Sequence, residues 1–427
     1  MPAVGHVNPM LPLAAALVGR GHEVRFYTSS AFEAKVKATG AAFEAMVTPL
    51  DPGDRPLDEL IPALGVTTGL AQLKTALKEF FIGSGPGQVA DLRRIRAGWA
   101  MDAIVADTSF LGAGLLHELG EGVPWAALSA LPLMLSSRDT APFGPGIPPL
   151  GGAVGRVRNA ALQTLVTRVL MRDVTAHSNR SRAGLGLPPR TELIFDGVLS
   201  PFLYLQAGVE SLEYPRSDLA AQVHFVGPMQ DRSVPAFDPP AWWGEVTNAT
   251  RPVVHVTQGT VTTGSDQLLL PTLRALANED VLVVATTGGP AVETLGPLPA
   301  NVRAAEFIPH AALLPHVSAM VTNGGYGAVQ MALSHAIPLV VAGATEDKPE
   351  VANRVAFAGA GLNLRTARPK EETLRRAVAR VLAEPAFRTS AQVIAADMAT
   401  HDGPRDATAL IERLVATGAP VRRGADR

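Results

Sequence analysis

Cysteine is absent from the chain, so disulfide bonds and thiolate chemistry play no part in its fold or activity. Long apolar runs are missing too, since none approaches the ~20 residues that a membrane-spanning helix needs. Charged residues make up only 18% of the 427 residues, with a formal net charge of −2. Because there is no long basic run, we expect no nucleic-acid partner. The first residues show no basic region followed by an apolar one, so we expect no signal peptide and a cytoplasmic location.

Several well-known enzyme motifs are also missing. No GxGxxG opens a helix with an acidic residue about 20 positions later, which argues against a dinucleotide dehydrogenase. No GxxxxGK[ST] segment is present, so a P-loop enzyme is not expected. No HExxH sequence or paired cysteines suggest a metal site. The chain is nevertheless 47% hydrophobic and long enough for two domains, so it is expected to be globular.

The most informative stretch runs from Phe307 to Pro349. Short apolar runs at 319–321 and 337–341 predict two strands, and apolar residues at i, i+4 and i+7 between them predict a helix. The turn into this helix combines Asn323, a favoured N-cap, with two glycines that let backbone N–H groups approach a ligand. A strand, a glycine turn and a helix N-terminus form an anion site that suits a diphosphate.

The next strand is followed by two carboxylates, Glu346 and Asp347, and by Lys348. In an open α/β sheet, ligands bind at the carboxyl ends of the strands. A phosphate cradle beside hydroxyl-binding carboxylates predicts a phosphate-linked polyol such as a nucleotide sugar. The alternative is an ordinary Rossmann-like unit with a glycine turn.

The order of these elements resembles the nucleotide-sugar signature of family 1 glycosyltransferases, which include plant secondary-product and bacterial macrolide and flavonoid enzymes. In that family an aromatic-x-Pro-Gln element stacks on the base, a Thr-His-x-Gly turn holds the diphosphate, and an Asp/Glu-Gln pair grips the sugar. The corresponding elements here are Phe307-Ile308-Pro309-His310, Thr322-Asn323-Gly324-Gly325 and Asp347-Lys348. The resemblance extends over nearly the whole chain.

The match departs from the family pattern at four positions that concern the donor. Asn323 stands in place of the usual His, while His310 and Lys348 each stand in place of Gln. Met331 occupies the position of a Glu that commonly accepts ribose hydroxyls, and the neighbouring Gln330 is a possible substitute. The full set of donor-binding residues that the resemblance implies is Gly259, Thr260, Thr287, Gly288, Phe307, Ile308, His310, Asn323, Gly324, Gly325, Gln330, Glu346, Asp347 and Lys348.

Two residues of the N-terminal half match catalytic positions of the family. His6 lies in a Gly-His loop where the family places its base, and Asp107 ends an apolar run where the family places the Asp that orients it. The alternatives are a disordered terminal His6 and an Asp107 that only caps the next helix. A strand should precede the loop, so we expect either an absent first strand or an in-frame extension of roughly six to twelve mostly apolar residues upstream.

Residues 131–155 are rich in Pro and Gly, and such a long loop in a compact domain is usually functional or mobile. Within it Met134 and Phe143 are predicted to contact an apolar acceptor, with packing inside their own domain as the alternative for each. The resemblance implies an α/β fold of the GT-B type, two Rossmann-like domains facing across a cleft. The predicted parts are an N-terminal acceptor-binding domain at 1–227, a linker at 228–250, a nucleotide-sugar-binding domain at 251–385, C-terminal helices at 386–414 whose last member packs back on the first domain, and a disordered tail at 415–427.

The function implied is that of an inverting glycosyltransferase, which moves a hexose from a UDP- or dTDP-sugar to a hydroxyl of an apolar small molecule. No metal or other cofactor beyond the nucleotide-sugar co-substrate is expected, and the chain is expected to be a monomer or weak dimer. The main alternative is a non-catalytic GT-B protein that binds a nucleotide sugar or a partner enzyme. A dinucleotide-binding oxidoreductase ranks far lower.

Overall fold

The computed structural model describes residues 2–49, 51–53, 55, 57–230, 237–259 and 264–424. Within these ranges the strands form three sheets, and neighbouring strands pair in parallel throughout. The strands are β1 Arg25–Thr28, β2 Ala42–Ala45, β3 Ile104–Asp107, β4 Trp125–Ser129, β5 Leu203–Gln206, β6 Val223–Phe225, β7 Val253–Thr257, β8 Leu282–Thr286, β9 Val302–Ala305, β10 Ala319–Thr322, β11 Leu339–Val341 and β12 Gly361–Asn363.

Helices surround these sheets. They are α1 Val4–Val7, α2 Met10–Gly19, α3 Glu33–Ala38, α4 Leu57–Leu60, α5 Pro62–Val66, α6 Gly69–Thr75, α7 Gly83–Gly98, α8 Gly112–Glu118, α9 Gly152–Leu165, α10 Arg172–Gly184, α11 Trp243–Thr247, α12 Leu269–Ala275, α13 His310–Leu313, α14 Tyr326–Ser334, α15 Lys348–Phe357, α16 Glu371–Ala383, α17 Pro385–Ala399 and α18 Gly403–Thr417. A π-helical stretch, Ala76–Ile82, joins α6 to α7, and a second one, Val166–Leu170, follows α9. No helix in the described part of the chain is long and apolar enough to cross a membrane.

The first domain divides its strands between a two-stranded sheet, β1-β2, and a four-stranded sheet, β3-β4-β5-β6. Helix α2 follows Pro9 directly and leads into β1. Among the described residues no strand precedes His6, because Val4–Val7 forms a helical turn with Val7 buried. Asn8 does not cap α2, whose N-cap is Pro9.

The second domain is a six-stranded sheet in the order β12-β11-β10-β7-β8-β9. Its strands read as apolar runs because helices cover both faces of a parallel sheet. Successive residues of β7 show this, since Val253 packs in one core cluster and Val254 in the other. Helices α14, α15 and α17 cover the first face, and α12 and α16 cover the second. The strands predicted from apolar runs at 319–321 and 337–341 are thereby confirmed as β10 and β11.

The segment that follows β5 extends from the first domain into the second. Val209 and Leu212 are buried in the core cluster formed by α14, α15 and α17. The backbone N–H of Ser211 donates to Asp397 of α17 at 3.1 Å. This segment, residues 207–214, therefore anchors one domain to the other.

The last helix crosses back to the first domain. Ile411 and Leu414 of α18 pack with Leu13 of α2, and Arg20 forms an ion pair with Glu412 at 2.7 Å. The expectation of a disordered tail from residue 415 is wrong for residues 415–424. Residues 415–417 complete α18, and beyond it Val421 is buried and donates its N–H to the carbonyl of Phe202 at 2.9 Å. An apolar side chain and a backbone hydrogen bond thus hold the tail in place.

Candidate active site

The predicted donor residues follow the carboxyl ends of neighbouring strands in the second sheet. Gly259 follows β7, Asn323 follows β10 and Asp347 follows β11, and these three strands lie side by side. Because all the strands are parallel, the loops after them meet at one edge, where α/β proteins bind ligands. A Cβ placed on Gly259 would lie 3.7 Å from the Asn323 amide nitrogen, so the two loops touch. Thr260 lies outside the described residues.

The glycine turn is held tightly against the sheet. Gly324 has φ +92°, and a Cβ there would come within 2.8 Å of the Val341 side chain, so this position requires glycine. The helix N-cap is Gly325 and not Asn323, which corrects the sequence prediction. The Asn323 amide instead donates to the backbone carbonyl of Gln258. The N–H of Gly324 donates to the Thr322 hydroxyl at 3.2 Å, so the predicted anion site would depend on the first-turn N–H groups of α14.

A second group of predicted donor residues lies beside β8 and β9. The N–H of Gly288 donates to the Glu306 carbonyl at 2.9 Å, which brings the Thr287-Gly288 loop next to Phe307. The Phe307 ring is 71% exposed, as a platform for a flat ligand would be, whereas Ile308 is buried in the core. The His310 ring lies 5.6 Å from that of His255. Burial lowers the pKa of His310, so it contributes a neutral imidazole.

The two carboxylates after β11, Glu346 and Asp347, differ in their surroundings. Glu346 has φ +57°, a left-handed conformation that non-glycine residues rarely adopt, and it forms an ion pair with Lys348. Burial raises the pKa of Asp347 to about 6, although the charge of Lys348 opposes the rise. The charge of His6 also opposes the rise in the pKa of Asp347, so the two side chains lie near enough to interact electrostatically.

Gln330 makes a different contact from the one expected of a ribose ligand. Its side chain is buried and donates to the carbonyl of Ala207 in the first domain at 3.2 Å. The neighbouring Met331 packs against the core of the second domain. The structure thus assigns the Gln330 amide nitrogen to the contact between the domains, and its role toward ribose stays a prediction.

His6 and Asp107 come together across 101 residues of sequence, with His6 Nδ1 2.9 Å from Asp107 Oδ2. The Asp107 side chain is 4% exposed and that of His6 17% exposed, so part of the imidazole remains accessible from outside the protein. Burial alone would raise the pKa of Asp107, but the charge of His6 and the hydrogen bonds of the carboxylate outweigh burial and lower it. The carboxylate therefore remains ionised at neutral pH.

Ser109 completes this arrangement and was missed from the sequence. Its N–H donates to Asp107 Oδ1 at 2.9 Å, and its hydroxyl lies 3.3 Å from His6 Nδ1. The signal that could have identified it is its place two residues after an acid that ends a strand. Both carboxylate oxygens of Asp107 are thus engaged, one by the backbone and one by the imidazole.

The two residues predicted to contact an acceptor differ in exposure. Met134 is only 6% exposed, which leaves it little surface to offer a ligand. Phe143 is partly buried and packs edge-to-face on Phe195, with ring centroids 5.8 Å apart. Within the described ranges, no group of three or more acidic or imidazole side chains is arranged to hold a metal ion.

Sequence and structure comparisons show which known proteins this chain is similar to. A family model described as the C-terminal domain of erythromycin biosynthesis protein CIII-like proteins matches residues 270–415. The 4'-demethylrebeccamycin synthase of Lentzea aerocolonigenes is 49% identical over 415 residues, covering 97% of this chain and 98% of that protein. The UDP-glucosyltransferase A1 of Starmerella bombicola is 31% identical over 429 residues, covering 97% of this chain and 91% of that protein.

Among solved structures, the glycotransferase of kitacinnamycin superposes with a TM-score of 0.74 at 23% identity, covering 97% of each chain. This similarity shows that the two Rossmann-like domains have the GT-B arrangement. The identity of 49% over nearly the full chain favours an active enzyme over a nucleotide-sugar-binding protein without activity. The chain therefore belongs to the family 1 glycosyltransferases and is itself a glycosyltransferase.

Proposed function

We propose that this glycosyltransferase moves a hexose from a UDP- or dTDP-sugar to a hydroxyl group of an apolar small-molecule natural product, with inversion at the anomeric carbon. The observation that carries the proposal is the His6–Asp107 pair, with His6 Nδ1 2.9 Å from a buried carboxylate oxygen of Asp107. The relatives support the substrate classes, since one is named a UDP-glucosyltransferase and another a synthase of a natural product.

His6 acts as the general base. With the hydrogen of Nδ1 donated to Asp107, the Nε2 lone pair accepts the proton of the acceptor hydroxyl. Histidine is the side chain that most often serves as a general base in enzymes. The ionised Asp107 carboxylate then stabilises the imidazolium that forms.

The acceptor oxygen forms a bond to the anomeric carbon as the bond from that carbon to the diphosphate oxygen breaks. The electron pair of the broken bond leaves with the nucleoside diphosphate, and attack from the opposite face inverts the configuration. The first-turn N–H groups of α14 stabilise the charge that develops on the leaving diphosphate. The exposed Phe307 ring stacks on the nucleobase of the donor. Asp347 accepts hydrogen bonds from the sugar hydroxyls.

A transfer assay tests this function. The purified chain is incubated with a panel of UDP- and dTDP-hexoses and with a mixed set of phenols and macrolides, and products are identified by mass spectrometry. We expect at least one acceptor to gain a single hexosyl group. The complete absence of transfer from every donor in the panel would refute the proposed function.

Substitution of His6 tests whether any observed transfer depends on the His6–Asp107 pair. His6→Ala should reduce turnover with alcohol acceptors by about 10²–10⁴-fold, the contribution of a general base, while calorimetric UDP affinity stays unchanged. The matched control is His22→Ala, because His22 is a half-exposed imidazole of the same domain that pairs with Glu412 on the surface. Equal alcohol turnover in parent and His6→Ala would refute the assignment of the base even if transfer is observed.

A further inference from the structure

Helix α15 carries buried charged residues that the proposed reaction does not use. The Arg354 guanidinium donates to Glu213 of the first domain at 2.7 Å and to Glu350, one turn earlier on α15, at 2.8 Å. Both side chains of the Arg354–Glu213 pair are 2% exposed. The Tyr214 ring packs on the guanidinium, with the Arg354 Cζ 4.4 Å from the ring centroid. A buried ion pair is costly to desolvate, so its presence between two domains calls for a role other than stability alone.

The same charged groups bind the backbone of the predicted acceptor segment at two places. The first place is Leu133, whose N–H donates to Glu213 at 2.8 Å. The Leu133 carbonyl accepts from Arg216 at 2.8 Å and from Arg354 at 3.3 Å. Both polar groups of this residue's backbone are therefore held by charged partners, which form the stronger class of hydrogen bond.

The second place is the Pro- and Gly-rich turn that follows Phe143. The N–H groups of Gly144 and Gly146 both donate to Glu350 Oε1, at 2.8 and 2.9 Å. Gly146 has φ +60°, and a Cβ there would lie 2.5 Å from the backbone carbonyl of Pro349. The loop at residues 144–146 thus packs directly against the N-terminal end of α15, and only glycine at position 146 permits this close approach.

We infer that Glu350 and Arg354 are positioning residues, which set the acceptor segment 133–146 relative to the donor sugar through a single helix. This inference rests on the proposed function, because the acceptor role of the segment belongs to that proposal. Helix α15 begins at Lys348, directly after Asp347, so its first turn belongs to the donor site. Two turns of the helix therefore fix both the residues proposed to bind the sugar and the segment that carries the proposed acceptor contact Phe143. Displacement of a reactant by about 1 Å costs about 10²-fold in rate, so such a device affects turnover strongly.

An isosteric variant tests the link from the helix side. In Glu350→Gln one carboxylate oxygen becomes an NH₂ group, which faces either the Arg354 guanidinium or the N–H groups of Gly144 and Gly146. In either orientation the NH₂ group faces other N–H donors, so Glu350→Gln loses its hydrogen bond either to Arg354 or to the two glycines. Gly146→Ala tests the link from the loop side, since its Cβ meets the Pro349 carbonyl. We expect both variants to lower acceptor kcat/KM by between about tenfold and about 100-fold, with UDP affinity within about twofold of the parent.

The matched control is Glu118→Gln, which weakens another carboxylate–guanidinium pair. Glu118 binds Arg182 at 3.0 and 2.7 Å within the first domain, away from α15. We expect this control to lower the melting temperature and leave acceptor kcat/KM unchanged. Parent-like acceptor kinetics in Glu350→Gln, or an equal kinetic loss in Glu118→Gln, would overturn the inference.

Hydrogen–deuterium exchange separates failure of the inference from failure of the proposed function. We expect peptides covering 133–146 to exchange faster in Glu350→Gln than in the parent, and unchanged exchange there in Glu118→Gln. If the parent transfers no sugar, the proposed function is refuted. Unchanged exchange of 133–146 in Glu350→Gln would overturn the inference whatever the transfer assay shows.

Discussion

Replacing Asp107 by Asn changes one atom and is predicted to abolish the base function of His6. In the parent, Asp107 Oδ1 accepts from the N–H of Ser109 at 2.9 Å, and Oδ2 lies 2.9 Å from His6 Nδ1. An Asn side chain has only one oxygen for these two positions. If its NH₂ group faced the Ser109 N–H, two donors would meet in a buried place, at a cost of roughly 1–3 kcal/mol.

The amide oxygen of the substituted side chain is therefore expected to stay on the Ser109 N–H, so that its NH₂ group donates to His6 Nδ1. The imidazole hydrogen then moves to Nε2, and Nε2 loses the lone pair that accepts the acceptor proton. The expected loss of kcat with an alcohol acceptor is the whole contribution of the general base, about 10²–10⁴-fold. The same tautomer error costs about 10⁴-fold in a serine protease triad.

Asp107→Ala is the informative comparison. It removes the carboxylate without adding a donor, and the Ser109 hydroxyl, 3.3 Å from Nδ1, remains to accept the imidazole hydrogen. We expect Asp107→Ala to be about tenfold or more faster than Asp107→Asn, since one decade corresponds to only about 1.4 kcal/mol. The assay is turnover with an alcohol and with an acidic phenol at saturating donor, with thermal unfolding as a check of folding.

A phenol that is already partly ionised needs the base less, so its loss should be smaller in both variants. The double variant His6→Ala with Asp107→Asn should be little worse than His6→Ala alone, because the two residues act as a unit. A larger loss for Asp107→Ala than for Asp107→Asn, with both proteins folded, would refute the tautomer argument.

The remaining predictions concern the donor site. Because the Asp347 pKa is raised to about 6, the donor KM of the parent should rise as pH falls below that value, while Asp347→Asn should show no such step and UDP affinity should not change. The pKa of Asp347 in the folded protein lies above its ordinary value of 3.8, so ionisation of Asp347 lowers the stability of the parent as pH rises from 3.8 to about 6. The melting temperature of Asp347→Asn minus that of the parent should therefore increase over this pH range. A difference that stays constant with pH would contradict the raised pKa. Phe307→Ala should weaken UDP binding by about 1–3 kcal/mol through lost stacking and leave the melting temperature unchanged, because the ring is 71% exposed; parent-like affinity by calorimetry would contradict the platform.

The sequence by itself determined the fold class and predicted that the proposed donor residues share one edge of the second sheet. The apolar runs at 319–321 and 337–341 form neighbouring parallel strands, because a parallel sheet covered by helices on both faces is built from apolar strands. The Gly324-Gly325 turn and the Asp347-Lys348 pair then had to meet at one edge, since parallel strands end on the same side. These conclusions depend on local pattern and on the direction of the strands alone.

Only the tertiary structure decided which side chain meets which partner. Asn323 was predicted to cap α14, yet its amide donates to Gln258 of the neighbouring loop, and Gln330 contacts the first domain. Glu350 and Arg354 resemble an exposed i,i+4 pair in the sequence, but they are buried because Glu213, 141 residues before Arg354, lies against them. Such contacts depend on how two distant parts of the chain pack together, and neither periodicity nor motif spacing contains that information.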